Sequence, residues 1–506
     1  MRSEIPRVVI LGLDPRIQSH FLWRNWIPDQ VGNDRKKNFA VHHMKTIFLP
    51  IYNGIRAKNF FHTDIYPELI KDGNIRLIIA VPSSKIDYYR GIYKESNVVF
   101  EPLDITSEPW FGRLIAEIAF NILDTKTIRF KQKLEYWRYG KYGRFFIKRT
   151  LHILFAKMTF LRNVLRWLDH FVAIHLGVAA LLDRHKPDLV VAPDVVFPLD
   201  RIFVRTAKQK GYTVVGLTRS WDNLTSKGVI QVLPDKLILH TSRMKQQAVD
   251  LVGMPEVDIV VTGPPDYDKY FKPIGISRDE FLQSLGIPSH RRLVLFAPFY
   301  DEYTGSALIM LNGLIRGIQD GRLPNDIHFI VRYRPATPEF KDGVIEKSEH
   351  ITFTKPCEYY FPVNNRAIAP TKDWEFSPQD ADLLVHSIAF SDIVVITYST
   401  LAIDAAACDR PIIGIRFDAD PNTPMKNRVT EIHDAHDHYG ELEATGGIRL
   451  VNTMDEFIEG INFYLSHPDA DRAGRKKMLQ EQVEFTDARN GKRAAEFIKG
   501  MAYHTQ

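Results

Sequence analysis

Eleven short apolar runs, mostly β-branched, recur between residues 46 and 417, and stretches with helical period separate them. Such runs, 4–8 residues long and bounded by Pro, Gly, Asp or Asn, read as buried strands. A strand that is apolar along its whole length must be covered on both faces. Alternation with helices supplies that cover, so the chain is expected to build parallel sheets. "TIFLPIYN", "IRLIIAVP", "NVVFEPLD", "PDLVVAPD" and "YTVVGLTR" form a first series. "DKLILHT", "VDIVVTGPP", "RRLVLFAP", "HFIVRYRP", "SDIVVITYS" and "PIIGIRF" form a second. The expected fold is α/β: two Rossmann-like, doubly wound parallel-sheet domains facing a cleft. Their spans are expected at 44–235 and 236–470, with the boundary near 235–245. A helical tail, 471–506, follows, and the last helix is expected to cross back to the first domain. The stretch from Met454 reads as a helix with Phe457, Ile458, Ile461 and Tyr464 on its apolar face.

Length permits two cores, since 506 residues exceed what one core usually serves. The two cysteines, Cys357 and Cys408, have no metal-ligand spacing and form no disulfide framework, which suits a reducing cytoplasm. No apolar run reaches the roughly 18 residues of a membrane span. Residues 13–37 hold Arg, Asn, Asp, Gln and Trp without a sustained period and resemble a translated palindromic DNA repeat. Residues 1–43 are therefore expected to be an added extension, with Met44 as the natural start.

Residues 105–186 are too long for one crossover helix. Within them, 129–166 hold eleven Lys/Arg and one acid, Glu135, interleaved with Phe, Leu, Ile, Met and Trp. A basic amphipathic segment reads as peripheral contact with an anionic membrane, or as a core helix with a solvated face. No nucleic-acid motif accompanies the charge.

Several strand ends carry chemistry. "DIVVITYSTLAIDAAA" places Ser399 and Thr400 at a strand-to-helix turn, where backbone N–H groups and hydroxyls can hold phosphate, with Asp404 one turn later. "HFIVRYRP" ends in Arg332 and Arg334, whose guanidinium forks suit phosphate. Gly263 and Pro264 in "VTGPPDYD" can let backbone approach a ligand. "TRSWDNLTSKG", 218–228, follows a first-series strand and offers Arg219, Ser220, Trp221, Asp222, Asn223 and Lys227 to a cleft. Trp221 can stack on a sugar or base, and Asp222 can accept a proton. After the first strand come Arg56, Asn59, His62 and Asp64; His62 or Asp64 are further candidate bases. His433, His436 and His438 sit among acids, but their spacing reads as a polar loop rather than a metal cluster.

Together "SWDNLTSKG", "VTGPPDYD" and "SDIVVITYSTLAIDAAACDRPIIGI" resemble GT-B glycosyltransferases of bacterial surface-polysaccharide type. The branch resembled is related to CDP-glycerol glycerophosphotransferases and non-hydrolysing UDP-N-acetylglucosamine 2-epimerases. The resemblance implies a nucleotide donor on the C-terminal domain, its pyrophosphate at Ser399 and Thr400, and acceptors entering from the N-terminal side. It implies no bound metal and no cofactor beyond the nucleotide-sugar donor. The glycerophosphotransferase branch carries a catalytic His-Pro after the equivalent strand, whereas this chain has Arg334-Pro335. The expected function is transfer of a sugar from a nucleotide-diphosphate donor to a surface glycan or lipid-linked acceptor, at the inner face of the membrane. Polyol-phosphate transfer, 2-epimerisation and a non-catalytic glycan-binding scaffold are the alternatives.

Overall fold

The computed structural model describes residues 44–505 except 106, 298–303, 333–347, 357–358 and 363–371. The extension expected over 1–43 lies outside the described residues. The first sheet contains β1 (Lys45–Pro50), β2 (Ile75–Val81), β3 (Val98–Pro102), β4 (Leu189–Ala192), β5 (Val214–Leu217), β6 (Lys236–Leu239) and β7 (Ile259–Val261). Its order is β3-β2-β1-β4-β5-β6-β7, and every pair is parallel. The second holds β8 (Arg292–Ala297), β9 (Ile327–Arg332) and β10 (Ile351–Thr354). After a hairpin of β11 (Tyr359–Pro362) and β12 (Lys372–Glu375), it continues with β13 (Ile393–Ile396), β14 (Ile412–Ile415) and β15 (Arg449–Val451). Its order is β10-β9-β8-β13-β14-β15, again all parallel. β1, β4, β8, β13 and β14 are almost wholly buried, as strands covered by helices on both faces must be.

Two strands change sheets relative to the sequence expectation. β6 and β7 extend the first sheet, so a boundary at 235–245 would cut through it. The pairing has a packing cause. A Cβ on Gly216 of β5 would lie 2.9 Å from Pro234 Cγ and 2.5 Å from Val195 Cγ1. Glycine at that point lets the turn that leads into β6 pack directly over β5.

Helix α1 (Gly54–Phe61) follows β1; Asn53 caps it by accepting the Arg56 N–H. The long insertion folds as α2 (Trp110–Asn121), α3 (Lys126–Tyr139), α4 (Tyr142–Phe155) and α5 (Thr159–Asp169) around Ile115, Ala119, Ile122, Ile128 and Leu165. Buried ion pairs fasten it to α6 (Pro198–Gln209): Arg205 joins Asp169 and Glu108, and Arg201 joins Glu108. Helix α7 (Leu401–Ala407) follows β13. The helix read from Met454, α8 (Met454–Ser466), buries Phe457, Ile458, Ile461 and Tyr464. The last helix, α9 (Asn490–His504), packs Ala494, Ala495, Ile498 and Ala502 into the core of the first sheet. The N–H groups at its start donate to Asp268.

Candidate functional site

A cleft of about 700 Å³ runs between the C-terminal edges of the two sheets. Ligands of open α/β sheets bind at such edges because loops rather than strands terminate there. From the first half, α1, the loop after β5, His240 after β6 and the turn Pro264–Tyr267 line it. From the second half come Ala297, Arg332, Phe376, Tyr398, Ser399, Thr400 and Asp404, with His436, His438 and Tyr439 closing one side.

The loop 218–228 is one wall. Asn59 donates to the Arg219 carbonyl at 3.2 Å and fixes its path. The Arg219 guanidinium lies 4.1 Å from the Phe197 ring centroid and 3.7 Å from Asp194. Burial, with Asp194 opposing, lowers its pKa somewhat. Arg56 reaches the cleft but turns inward, gripping the buried Asp200 with both guanidinium arms and facing Asp194 at 3.9 Å. It is therefore a brace beneath the loop rather than a free cation. The Trp221 ring meets His438 edge-on, centroids 4.8 Å apart at 90°, and its buried Nε1 has no acceptor among the described residues. Thr218 Oγ1 and His438 Nδ1 are likewise buried without a partner among the described residues. A ligand rich in oxygen would meet these groups, which is favourable because an unsatisfied buried donor costs about 1–3 kcal/mol.

Asp222 accepts from the Ser226 hydroxyl at 2.7 Å and faces Lys227 at 3.9 Å. Burial pushes its carboxyl up, but Lys227, His438 and the Ser226 and Ser220 hydroxyls outweigh that and hold it well below the usual range. A carboxylate held so far down is a weak base, so the proton-acceptor role expected for Asp222 does not suit its environment. It suits a fixed counter-charge for Lys227.

On the second half, Arg332 ends β9, and Ser399 and Thr400 sit in the turn before α7. The Leu401 N–H donates to Ser399 Oγ at 3.2 Å. Asp404 is buried, its carboxyl raised chiefly by that burial, and it accepts from the Tyr270 hydroxyl of the turn after β7. Its partner is thus a loop of the first half.

The structure does not bring four expected residues to the cleft lining. Gly263 has φ +83°, and a Cβ there would come 2.1 Å from Asn490 Oδ1, so its close approach is to α9 and not to a ligand. Asn223 is fully buried behind the loop. Asp64 pairs at the surface with Lys272 at 2.8 Å, which leaves it no route to a substrate. His62 caps the end of α1, and burial beside Lys58 lowers its pKa. Arg334 lies outside the described residues.

Sequence reasoning missed several lining groups. Lys58 and Asp266 line the cleft, and Lys58 and Lys269 flank the Asp266 carboxyl, which burial raises but the two ammoniums bring down to about 2. Lys131, from the basic segment, reaches the cleft and donates to the Ser226 carbonyl. Burial lowers its pKa to about 7; Lys227 adds to the fall and Asp222 opposes it. The His436–His438 stretch lines the cleft although it reads as an ordinary polar loop. Among the described residues no group of three or more His, Cys, Asp and Glu is placed to hold a metal ion.

Lys131 predicts a pH signature. A lysine whose folded pKa is depressed binds fewer protons folded than unfolded between about 7 and about 10.4, so stability rises with pH across that window. Lys131→Met removes the penalty. Its melting advantage over the parent is expected to be largest at pH 6, roughly 2–4 kcal/mol, and to shrink by pH 9.5. A constant offset across pH would show that Lys131 stays charged.

The family model for CDP-glycerol:poly(glycerophosphate) glycerophosphotransferase matches residues 233–500. No curated protein matches the chain. Among solved structures, UDP-GlcNAc 2-epimerase from Neisseria meningitidis bound to UDP-GlcNAc is similar, at 12% identity and TM-score 0.51. The match covers 90% of this chain and 100% of that one. The S. aureus MnaA–UDP structure matches at 12% identity and TM-score 0.51, over 90% and 96% of the two chains. At these identities the likeness is one of fold: two Rossmann-like halves around a cleft.

Proposed function

Because the chain belongs to the CDP-glycerol:poly(glycerophosphate) glycerophosphotransferase family, we propose that it is a transferase working in this cleft. It takes a nucleotide-diphosphate-activated donor and passes the activated group to a hydroxyl of a surface glycan or lipid-linked acceptor. The observation that carries this reading is the convergence of Arg219, Lys227 and Arg332 with Ser399 and Thr400 in one cleft between two parallel sheets. Cations and hydroxyls from both halves suit a diphosphate that spans the gap. Fixed charges there stabilise a leaving phosphate without reorganising, and no metal ion is needed for that step. Trp221 offers an edge and an unpaired N–H to a sugar or base. The nucleotides in the two similar structures, UDP-GlcNAc and UDP, agree with a nucleotide-sugar donor.

The acceptor hydroxyl must lose a proton. Lys131, titrating at about 7, is better matched to that than Asp222 is, since a base works best with a pKa near the working pH.

Two transfers remain open to one test. Sugar transfer releases a nucleoside diphosphate, and it is favoured by Arg334 standing before Pro335 where the family's His would be. Polyol-phosphate transfer releases a nucleoside monophosphate, and the family match favours it. A thermal-shift screen over nucleoside diphosphates, nucleotide sugars and CDP-glycerol should find a ligand that raises the melting temperature by mass action. Turnover with that donor, followed by chromatography of the released nucleotide, then separates the two. Absence of any saturable nucleotide binding would leave a non-catalytic scaffold instead.

A further inference from the structure

Asp194 lies in the turn between β4 and α6, fully buried, and the transfer itself gives it nothing to do. Its Oδ1 accepts the Val195 and Val196 N–H groups at 2.7 and 3.1 Å. Its Oδ2 has no hydrogen-bond partner among the described residues. That oxygen lies 3.9 Å from the Arg56 guanidinium and 3.7 Å from that of Arg219, near enough for charge to act and too far for a hydrogen bond. The two arginines differ in what else holds them. Arg56 is tied to Asp200 through both arms. Arg219 rests its guanidinium on the Phe197 ring, keeps 18% of its side chain exposed, and lines the cleft. A phosphate in the cleft offers Arg219 the charge-assisted hydrogen bonds that Asp194 does not give it.

A turn of Arg219 toward the cleft changes the charge around Asp194. The groups that face Asp194 are Arg56 from α1, Tyr52 after β1, Asp200 from α6 and Arg219. Further along the Arg219 loop stand Asp222 and Lys227. Burial pushes the Asp194 and Asp200 carboxyls up, while Arg56 and Arg219 pull both down. Two buried carboxyls therefore share two guanidiniums and titrate as a pair. A diphosphate that draws Arg219 away removes one of those guanidiniums and brings its own negative charge near. Both changes favour a proton on the pair.

We infer that Asp194 is a positioning residue for Arg219, and that diphosphate binding draws Arg219 away from it and loads a proton onto the Asp194–Asp200 pair. The inference deepens the transferase reading and rests on it, since the diphosphate is that of the proposed donor. Arg219 keeps its charge throughout. The proton comes from solvent, and the O–H bond on the pair is the one bond formed there.

Titration calorimetry of the purified full chain with UDP, CDP and inorganic pyrophosphate tests this, in buffers of different ionisation enthalpy at pH 7. The parent is expected to take up more protons per bound diphosphate than Asp194→Asn does. Binding that takes up protons tightens as pH falls. Between pH 8 and pH 6 the parent's Kd should fall about threefold per pH unit more steeply than the variant's, the slope of about half a proton. Protonation of the diphosphate itself and of Lys131 enters both proteins alike, so the difference isolates the pair. Arg219→Gln should bind more weakly and show the same shallow slope, so the outcome does not hang on how well Asp194→Asn folds. Equal proton counts and equal slopes in the parent and both variants would overturn the inference and leave the transferase reading standing. A parent that binds none of the three probes removes both.

Discussion

Lys227→Ala is expected to lower kcat/KM for transfer by about 10²–10³-fold, or 2.7–4 kcal/mol, the usual loss when one fixed charge or donor at a developing anion is removed. Lys227 lies on the cleft wall, 5.4 Å from the Phe197 ring centroid and 3.9 Å from Asp222. It supports no core, so the melting temperature should change little. The substitution also has a directional pH effect. After burial, Lys227 is the next influence that lowers the pKa of Lys131, the proposed base. Without it Lys131 titrates higher, and the acid limb of the rate profile should move to higher pH. The matching experiment on the second half is Arg332→Ala combined with Arg334→Ala. If the diphosphate is shared by both halves, that variant should lose a similar factor. Combination with Lys227→Ala should then add less than the product, because groups acting on one charge are not additive. Transfer that survives loss of both arginines removes the phosphate assignment on that side.

What the sequence showed and what it hid have separate causes. Hydrophobic periodicity places a strand, and each of the eleven apolar runs does contain one. Periodicity does not name the strand's neighbour. β6 and β7 read like any second-series strand, and the close seat of Pro234 over Gly216, which β6 follows, is not a feature of periodicity. The hairpin β11–β12 went unread because neither strand is a long apolar run. In the site, the position of a loop was legible, but the direction of a side chain was not. Arg56 and Arg219 are both basic residues near strand ends, yet Asp200 captures the first. The second faces Asp194 at 3.7 Å and lies over a ring face. Asp64 and Asp222 looked equally suited to accept a proton, but one is at the surface and the other is held ionised. Lys131 was hidden by its surroundings: within a run of cations, nothing in the sequence marks the one that burial will nearly neutralise.

Glu375→Ala is expected to destabilise the fold by about 3–5 kcal/mol, the range for breaking one side of a buried ion pair. Glu375 ends β12, which belongs to the second half of the chain, yet its carboxylate accepts from Lys85 and from the Tyr89 hydroxyl of the first half. Both charged partners are almost fully buried. Removing the acid takes the buried carboxylate away from a buried ammonium. The fit around the hairpin is close: a Cβ on Gly54 at the start of α1 would lie 2.0 Å from the Trp374 carbonyl oxygen, so the strand rests directly on that helix. The pair thus fastens one half of the cleft to the other. Phe376, the next residue, lines the cleft, and Lys58 lies 5.7 Å from its ring centroid. The lost stability should therefore come with weaker donor binding. Glu375→Gln keeps the shape and removes the charge, and should fall between parent and alanine. Lys85→Met combined with Glu375→Leu should recover much of the loss in urea unfolding, because an apolar pair has no charge to desolvate. If it recovers stability but not donor affinity, the ion pair sets the geometry of the cleft wall; if it recovers both, packing alone is enough to hold the two halves together.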